Sequence, residues 1–142
     1  MMYILYDGKL HLAPMHNPHR VLDIGAGSGI WCIDFADIYA SAEILGVDLS
    51  ANLPTYVPPN VRFEVDDLED DWTFAYPFDY IHSRYMAGSI KDWPRLMTQC
   101  FELVKSLLQL YIIVSRSSML IWNFILQEHT ARRMGGIPRL RY

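Results

Sequence analysis

The sequence predicts an α/β fold in which a parallel sheet carries helices on its faces. Three observations predict it. Short runs of strand composition recur along the chain, with stretches of helical apolar spacing after the first and the fourth of them, the pattern of strand–helix–strand units. The first such run, Val21–Ile24, passes directly into glycines at alternate positions, Gly25, Gly27 and Gly29. A helix-like stretch then opens at Ile30. Strand, glycine loop and helix in that order form a nucleotide-type cradle. Glycine tolerates positive φ and lets a ligand come close to the backbone, and a helix start offers unpaired N–H groups.

The elements follow in order. Val21–Ile24 is apolar apart from Asp23, as suits a strand buried on both faces. Ile30–Tyr39 has Ile30, Ile33, Phe35, Ala36 and Ile38 at helical spacing. Glu43–Asp48 reads as the second strand and the alternating Val61–Val65 as the third. Between them Pro54, Pro58 and Pro59 exclude a regular helix. Pro77–His82 reads as the fourth strand, with His82, Ser83 and Arg84 emerging at its carboxyl end, the ligand side of a parallel sheet. Lys91–Ser106 repeats apolar residues at helical spacing, with Asp92 as N-cap and Pro94 just inside. Leu110–Val114 has the composition of a fifth strand. Residues 1–19 form a lead-in segment: an apolar Met1–Leu12, then a loop carrying Pro14 and Pro18.

Composition narrows the function classes. The 142 residues suffice for a single domain with one core. A net charge of −4 does not favour nucleic acid. Cys32 and Cys100 fall in predicted helices without metal-ligand spacing and read as buried free thiols of an intracellular protein, in cytoplasm or nucleus. No basic region followed by an apolar core opens the chain, so no signal peptide is expected. His11, His16 and His19 have poor spacing for a metal site; they are expected to face solvent, and no metal is expected. Leu103–Leu126 is very apolar, but Lys105 and Arg116 interrupt it. It reads as buried core rather than a membrane span, which wants about 18 or more apolar residues.

The glycine spacing is G-x-G-x-G. A dinucleotide fingerprint would place its third glycine where Ile30 stands, which weakens an NAD-binding oxidoreductase. There is no Gly-Lys-Ser/Thr, so a phosphate-binding P-loop is excluded. Asp48 ends the second strand, 19 residues after Gly29. The ends of neighbouring parallel strands lie side by side, and a carboxylate there can accept both hydroxyls of a ribose. The plainer alternative for Asp48 is a turn or helix N-cap residue, a role Ser50 can also fill. Asp66, Asp67, Glu69, Asp70 and Asp71 crowd into six residues, so most must be solvated.

Val21–Trp31 resembles motif I of the class I S-adenosylmethionine (SAM)-dependent methyltransferases, D-x-G-x-G-x-G. The match narrows downstream. Pro58–Asp67, then Phe78–Leu96 with its Phe-Asp-Tyr-Ile-His-Ser-Arg-Tyr-Met opening, resemble the fungal LaeA-like (UMTA-type) methyltransferases, and Asp7–Pro14 is similar to them. The resemblance runs from Tyr3 to Glu102. It implies a Rossmann-like class I sheet with flanking helices, SAM as cofactor, and methyl transfer in fungal secondary metabolism. It also implies a cofactor-binding set: Asp23, Gly25, Ala26, Gly27 and Gly29 around the loop, Asp48 and Leu49 after the second strand, and Ser83 after the fourth. After the third strand, the family's acid at the adenine amino group maps onto Asp67, with the Leu68 backbone beside it; Asp66 is the competing choice. The methyl acceptor stays open between small molecule and protein, with neither nucleic acid nor membrane as partner. No oligomerisation element can be read.

The chain also departs from the family. Members end the helix after the fourth strand with a Lys-Pro-Gly-Gly turn, where this chain has Val104-Lys105-Ser106-Leu107-Leu108. Trp122–Pro138 again resembles a later family helix and its glycine–proline exit. A missing or altered segment is therefore expected, as truncation or mis-splicing would give. Residues 20–114 would be the SAM-binding core and 115–142 an atypical helical tail of a single, partial domain, its sheet incomplete at both ends. A catalytically inactive SAM-binding or scaffold fragment is thus the second functional reading. Methyl transfer is mainly alignment of donor and acceptor, so no acid or base is obligatory. His82 is the one histidine expected at a strand's ligand end. It is a candidate general base or, equally, a hydrogen-bonded structural histidine; Arg84 and Tyr85 share that ambiguity.

Overall fold

A computed structural model of the chain describes residues 10, 11, 15–86, 88–105 and 110–113. They form β1 (Arg20–Ile24), α1 (Ile30–Ile38), β2 (Glu43–Asp48), β3 (Val61–Val65), β4 (Tyr80–Arg84), α2 (Trp93–Leu103) and β5 (Leu110–Ile113). All pairings are parallel and the sheet order is β3-β2-β1-β4-β5. The expected α/β class is the observed one. Strand order reverses between β1 and β4, and at such a switch point the carboxyl ends of the strands border a crevice. The expected tail 115–142, with the family-like stretch Trp122–Pro138, lies outside the described residues.

Both faces of the sheet are covered because its strands carry apolar residues on both sides. Val21, Ile44, Val61 and Tyr80 pack with Trp31, Cys32, Phe35 and Ala36 of α1. The alternate residues Leu22, Ile24, Val47 and Ile81 pack with Leu96, Met97, Cys100 and Phe101 of α2. Burying side chains of this size stabilises by about 1.5–3 kcal/mol each. α1 needs that packing, since Gly29 at its start supplies no side-chain cap. α2 is capped as expected: the Asp92 carboxylate accepts from the Arg95 N–H at 3.0 Å, with Pro94 in the first turn.

The fourth strand corrects the sequence reading. It spans Tyr80–Arg84, not Pro77–His82. Phe78 pairs instead with Val104 at the exit of α2. Its N–H donates to Leu103 O at 2.6 Å, and its carbonyl accepts from the Lys105 N–H at 3.0 Å. Asp79 then turns toward the first strand. Its Oδ2 accepts from the backbone N–H of His19 (2.9 Å) and Arg20 (2.8 Å), and its Oδ1 meets Lys105 Nζ at 2.6 Å. The α2 exit, which lacks the family's glycine turn, is thus specified by long-range pairing.

One further expectation changes. His16 and His19 are exposed, but His11 is half-buried, with Nε2 2.8 Å from the Tyr39 hydroxyl and its ring against Phe35. Leu10 O accepts from Trp31 Nε1 at 3.0 Å, so this part of the lead-in docks on α1. The expected fifth strand is present as Leu110–Ile113, paired with β4. No helix among the described residues is long and apolar enough to cross a membrane.

Asp79 gives the fold an acid sensitivity. Burial, its largest single influence, pushes the carboxyl up. The hydrogen bond from Lys105, those from the Arg20 and His19 backbone, and the Lys105 charge outweigh it and hold the carboxyl below its usual value. A carboxylate depressed in the fold contributes stability that is complete above its unfolded value, about 3.9, and is lost as pH falls through the folded one. Asp79→Ala is therefore expected to cost roughly 1–3 kcal/mol at pH 7 and to flatten the loss of stability below about pH 4. Urea melts across pH 2–7 check this; a variant with the wild-type acid profile would remove Asp79 from that role.

Candidate functional site

The loop after β1 is folded by the end of β2. The Gly25 and Ala26 N–H groups both donate to Val47 O (2.8 and 3.1 Å), and the Gly29 N–H closes a turn onto Ala26 O at 2.9 Å. Gly25, Gly27 and Gly29 hold φ of 72°, 55° and 71°, a region that other residues enter at a cost. Their missing side chains differ in meaning. A Cβ on Gly29 would lie 2.5 Å from Phe63 Cζ and 2.8 Å from Pro54 Cγ. One on Gly25 would overlap the Met86 thioether. One on Gly27 would meet nothing within 4 Å. Two glycines therefore make room for the protein itself, while exposed Gly27 opens bare backbone to whatever approaches.

Asp48 stands at this opening. Its Oδ2 accepts from the Gly27 N–H at 2.8 Å and its Oδ1 from the Ser50 N–H at 2.8 Å. The turn-residue role and a ligand role are compatible, because a carboxylate has about four acceptor positions and these bonds use two. Leu49 is 70% exposed beside it. The Asp66 N–H donates to Asp48 O at 3.2 Å, which brings the end of β3 alongside. Asp67 is exposed there, with Oδ1 accepting from the Glu69 N–H at 2.9 Å. Leu68 turns inward: its side chain is buried and its carbonyl accepts from Trp72 Nε1 at 3.1 Å. Its packing holds the chain beside Asp67 in place. The rest of the acidic run is partly spoken for. Glu69 Oε1 accepts from the Lys91 and Asp92 N–H groups, and Asp71 pairs with Arg95.

Ser83 lies opposite Ile24, the last residue before the loop. It is 1% exposed, and its hydroxyl oxygen has no hydrogen-bond partner among the described residues. A buried hydroxyl without a partner is costly, so this orphan at the ligand end of β4 is a second feature suited to a polar ligand group.

Asp23 and His82 require correction. The shifted fourth strand puts His82 in mid-sheet opposite Asp23, not at the ligand end. His82 is 3% exposed, its Nδ1 is 2.7 Å from Asp23 Oδ1, and its ring stacks on Trp31 at 3.8 Å with 2° between planes. Asp23, also buried, accepts from the Cys32 thiol through Oδ2 at 3.3 Å. Burial first, then the Asp23 charge, push the Cys32 thiol far up, which keeps it a donor. Asp23 and His82 are committed to each other inside the sheet and brace the base of the loop. Arg84 and Tyr85, by contrast, do reach the ligand end. Tyr85 is exposed at φ 62°, with the Arg84 guanidinium 5.3 Å from its ring centroid.

Sequence reasoning missed Phe63, Pro54 and Met86. Phe63 fills the space left by both Gly29 and its register partner Gly46. Only the pairing of β2 with β3 reveals that match.

Residues 3–136 match a family model described as a methyltransferase domain. The chain is similar to Methyltransferase pytC of Aspergillus terreus, 50% identical over 107 residues, 71% of this chain and 33% of that protein. It is also similar to the Secondary metabolism regulator LAE1 of Cochliobolus heterostrophus, 45% identical over 104 residues, 69% of this chain and 34% of that protein. The chain thus spans about a third of the length of these curated relatives. Among solved structures, a coclaurine N-methyltransferase bound to N-methylheliamine and S-adenosylhomocysteine shares the fold at TM-score 0.59 and 20% identity, over 66% of this chain and 30% of that one. A Haemonchus contortus phosphoethanolamine N-methyltransferase in complex with S-adenosylhomocysteine matches at TM-score 0.60 and 25% identity, over 80% of this chain and 30% of that one.

His82→Phe keeps a ring for Trp31 but leaves the buried Asp23 carboxylate short of a partner. It is expected to cost at least about 2 kcal/mol in urea unfolding. Unchanged stability would detach His82 from the core and return it to contention as a base.

Proposed function

Because the chain belongs to the methyltransferase domain family, we propose that it is a SAM-dependent methyltransferase of the LaeA-like kind, acting in fungal secondary metabolism. The names of its relatives support the setting. The observation that carries the reading is Gly27: its amide is held by Asp48 while its side-chain position is open. This is a cradle that a Cβ would fill, and the residues around it fit a nucleoside. Asp48 has acceptor capacity left for ribose hydroxyls. Asp67 stands exposed at the neighbouring strand end for an adenine amino group. The orphan Ser83 hydroxyl offers one further polar contact.

Bound SAM supplies an electrophilic methyl group on a sulfonium. The chain's own contribution is alignment: loop and strand ends hold the donor side in place, and orientation of this kind lowers a displacement barrier without an acid or base. The acceptor is a small molecule or a protein side chain. Two buried free cysteines support a reducing, intracellular setting.

Titration calorimetry with SAM and with NAD tests the reading. Heat with SAM and none with NAD is expected; no heat with SAM would overturn it. Binding without turnover on any acceptor would favour the inactive SAM-binding fragment. Gly27→Val should abolish SAM binding by filling the approach. Gly27→Asn separates that from strain, because Asn tolerates positive φ; it too should block SAM while leaving the melting temperature near wild type. Asp48→Ala should weaken SAM binding by roughly 1.5–3 kcal/mol. Unchanged affinity in both Gly27 variants would remove the loop from the site.

A further inference from the structure

We propose that Met86 is a positioning residue for the cofactor loop, seated in the side-chain position of Gly25 so that the exit of β4 and the glycine loop behave as one piece. This rests on the reading of that loop as the SAM site. The contact is broad: the Sδ, Cε and Cγ atoms of Met86 are the three nearest to where a Gly25 Cβ would stand, with Cε at 2.9 Å and Cγ at 3.0 Å. Met86 is itself half-buried and packs against the cluster on the α2 face, which includes Ile24, the residue just before the loop. Its delivery requires an unusual backbone. Tyr85 sits at φ 62°, which costs a bulky residue free energy and persists only where its surroundings impose it. Tyr85 is 62% exposed, so its own burial does not impose the bend. What the bend achieves is the insertion of Met86.

Gly25 is therefore gripped from two directions. Its N–H is bound to Val47 O at 2.8 Å, and its open face is covered by the thioether. Methionine suits this place, since an unbranched, flexible side chain fills an irregular gap. The three loop glycines then divide their work. Gly29 admits Phe63 and Pro54, Gly25 admits Met86, and Gly27 admits the ligand. The segment Arg84–Met86, at the ligand end of β4, becomes mechanically part of the cofactor loop.

A double-mutant cycle tests this on the full chain, with SAM affinity by calorimetry well below the melting temperature and thermal melts in parallel. Met86→Ala is expected to stay folded and to weaken SAM binding about threefold to tenfold, and Met86→Leu to recover most of that loss. Gly25→Ala should lose more. The double variant Gly25→Ala/Met86→Ala should bind SAM more tightly than Gly25→Ala alone, because the added methyl enters the vacated space. The remaining deficit reflects the positive φ, which the second change does not relieve. Additive losses, or Met86→Ala with wild-type affinity and only a lowered melting temperature, would overturn the positioning role while the SAM reading stands. A wild-type chain that gives no heat with SAM would overturn both.

Discussion

The hydrogen bond from the Gly27 N–H to Asp48 Oδ2, at 2.8 Å, is the constraint on which the rest of the site depends. A glycine loop is intrinsically loose, because glycine loses more conformational freedom on ordering than any other residue. Here the end of β2 removes that freedom. Val47 O takes two loop amides, the Asp48 carboxylate takes a third, and Asp48 O passes the connection on to Asp66 after β3. A bond to a charged acceptor is stronger than a neutral one, so the loop's shape is fixed before any ligand arrives. The bonds from the Gly27 and Ser50 N–H groups leave the Asp48 carboxylate with acceptor capacity to spare, which is what the proposed ribose contact requires.

Local pattern made some of this legible. β2 and β3 have the bounds read from their composition, and the Asp92 cap is where the sequence puts it. In each case the deciding forces act within a few residues. The misplaced features share the opposite cause. The start of β4 is set by Phe78 pairing with Val104, 26 residues on, and by Asp79 reaching back to His19 and Arg20. A shift of a few residues in one strand moved His82 from the ligand end to the middle of the sheet. Alternation then gave its side chain to the α1 face and left Ser83 on the other. His11 is misjudged for the same reason: its partners Tyr39 and Phe35 belong to a helix it precedes by many residues.

The glycines show why a motif says less than a structure about the same residues. Gly25, Gly27 and Gly29 are equivalent in sequence spacing and nearly so in φ. Their neighbours separate them, and those neighbours come from distant stretches: Met86 after β4, Phe63 in β3, Pro54 in the proline-rich crossover. The spacing could indicate that glycine is required. It could not indicate that only the middle one is bare.

The ionisable groups nearest the loop are spent on holding neighbouring backbone and side chains in place. Asp48 fixes Gly27 and Ser50, Asp23 fixes His82 and Cys32, and Trp31 locks the His82 ring from α1. In a site built for proton transfer, a histidine paired with a carboxylate would be turned toward the substrate with one ring nitrogen free. Here the same pair is turned into the sheet, 3% exposed at each partner, and stiffens the junction from which the loop springs. That use of charge suits a reaction whose barrier yields to alignment more than to acid–base help. Asp48 and Asp67 remain at the opening of the cradle, and Ser83 keeps a buried hydroxyl without a partner among the described residues; in the proposed function these are recognition groups rather than reagents. On the proposed function the chemistry then belongs to the donor, and the chain's task is to keep Gly27 bare and still.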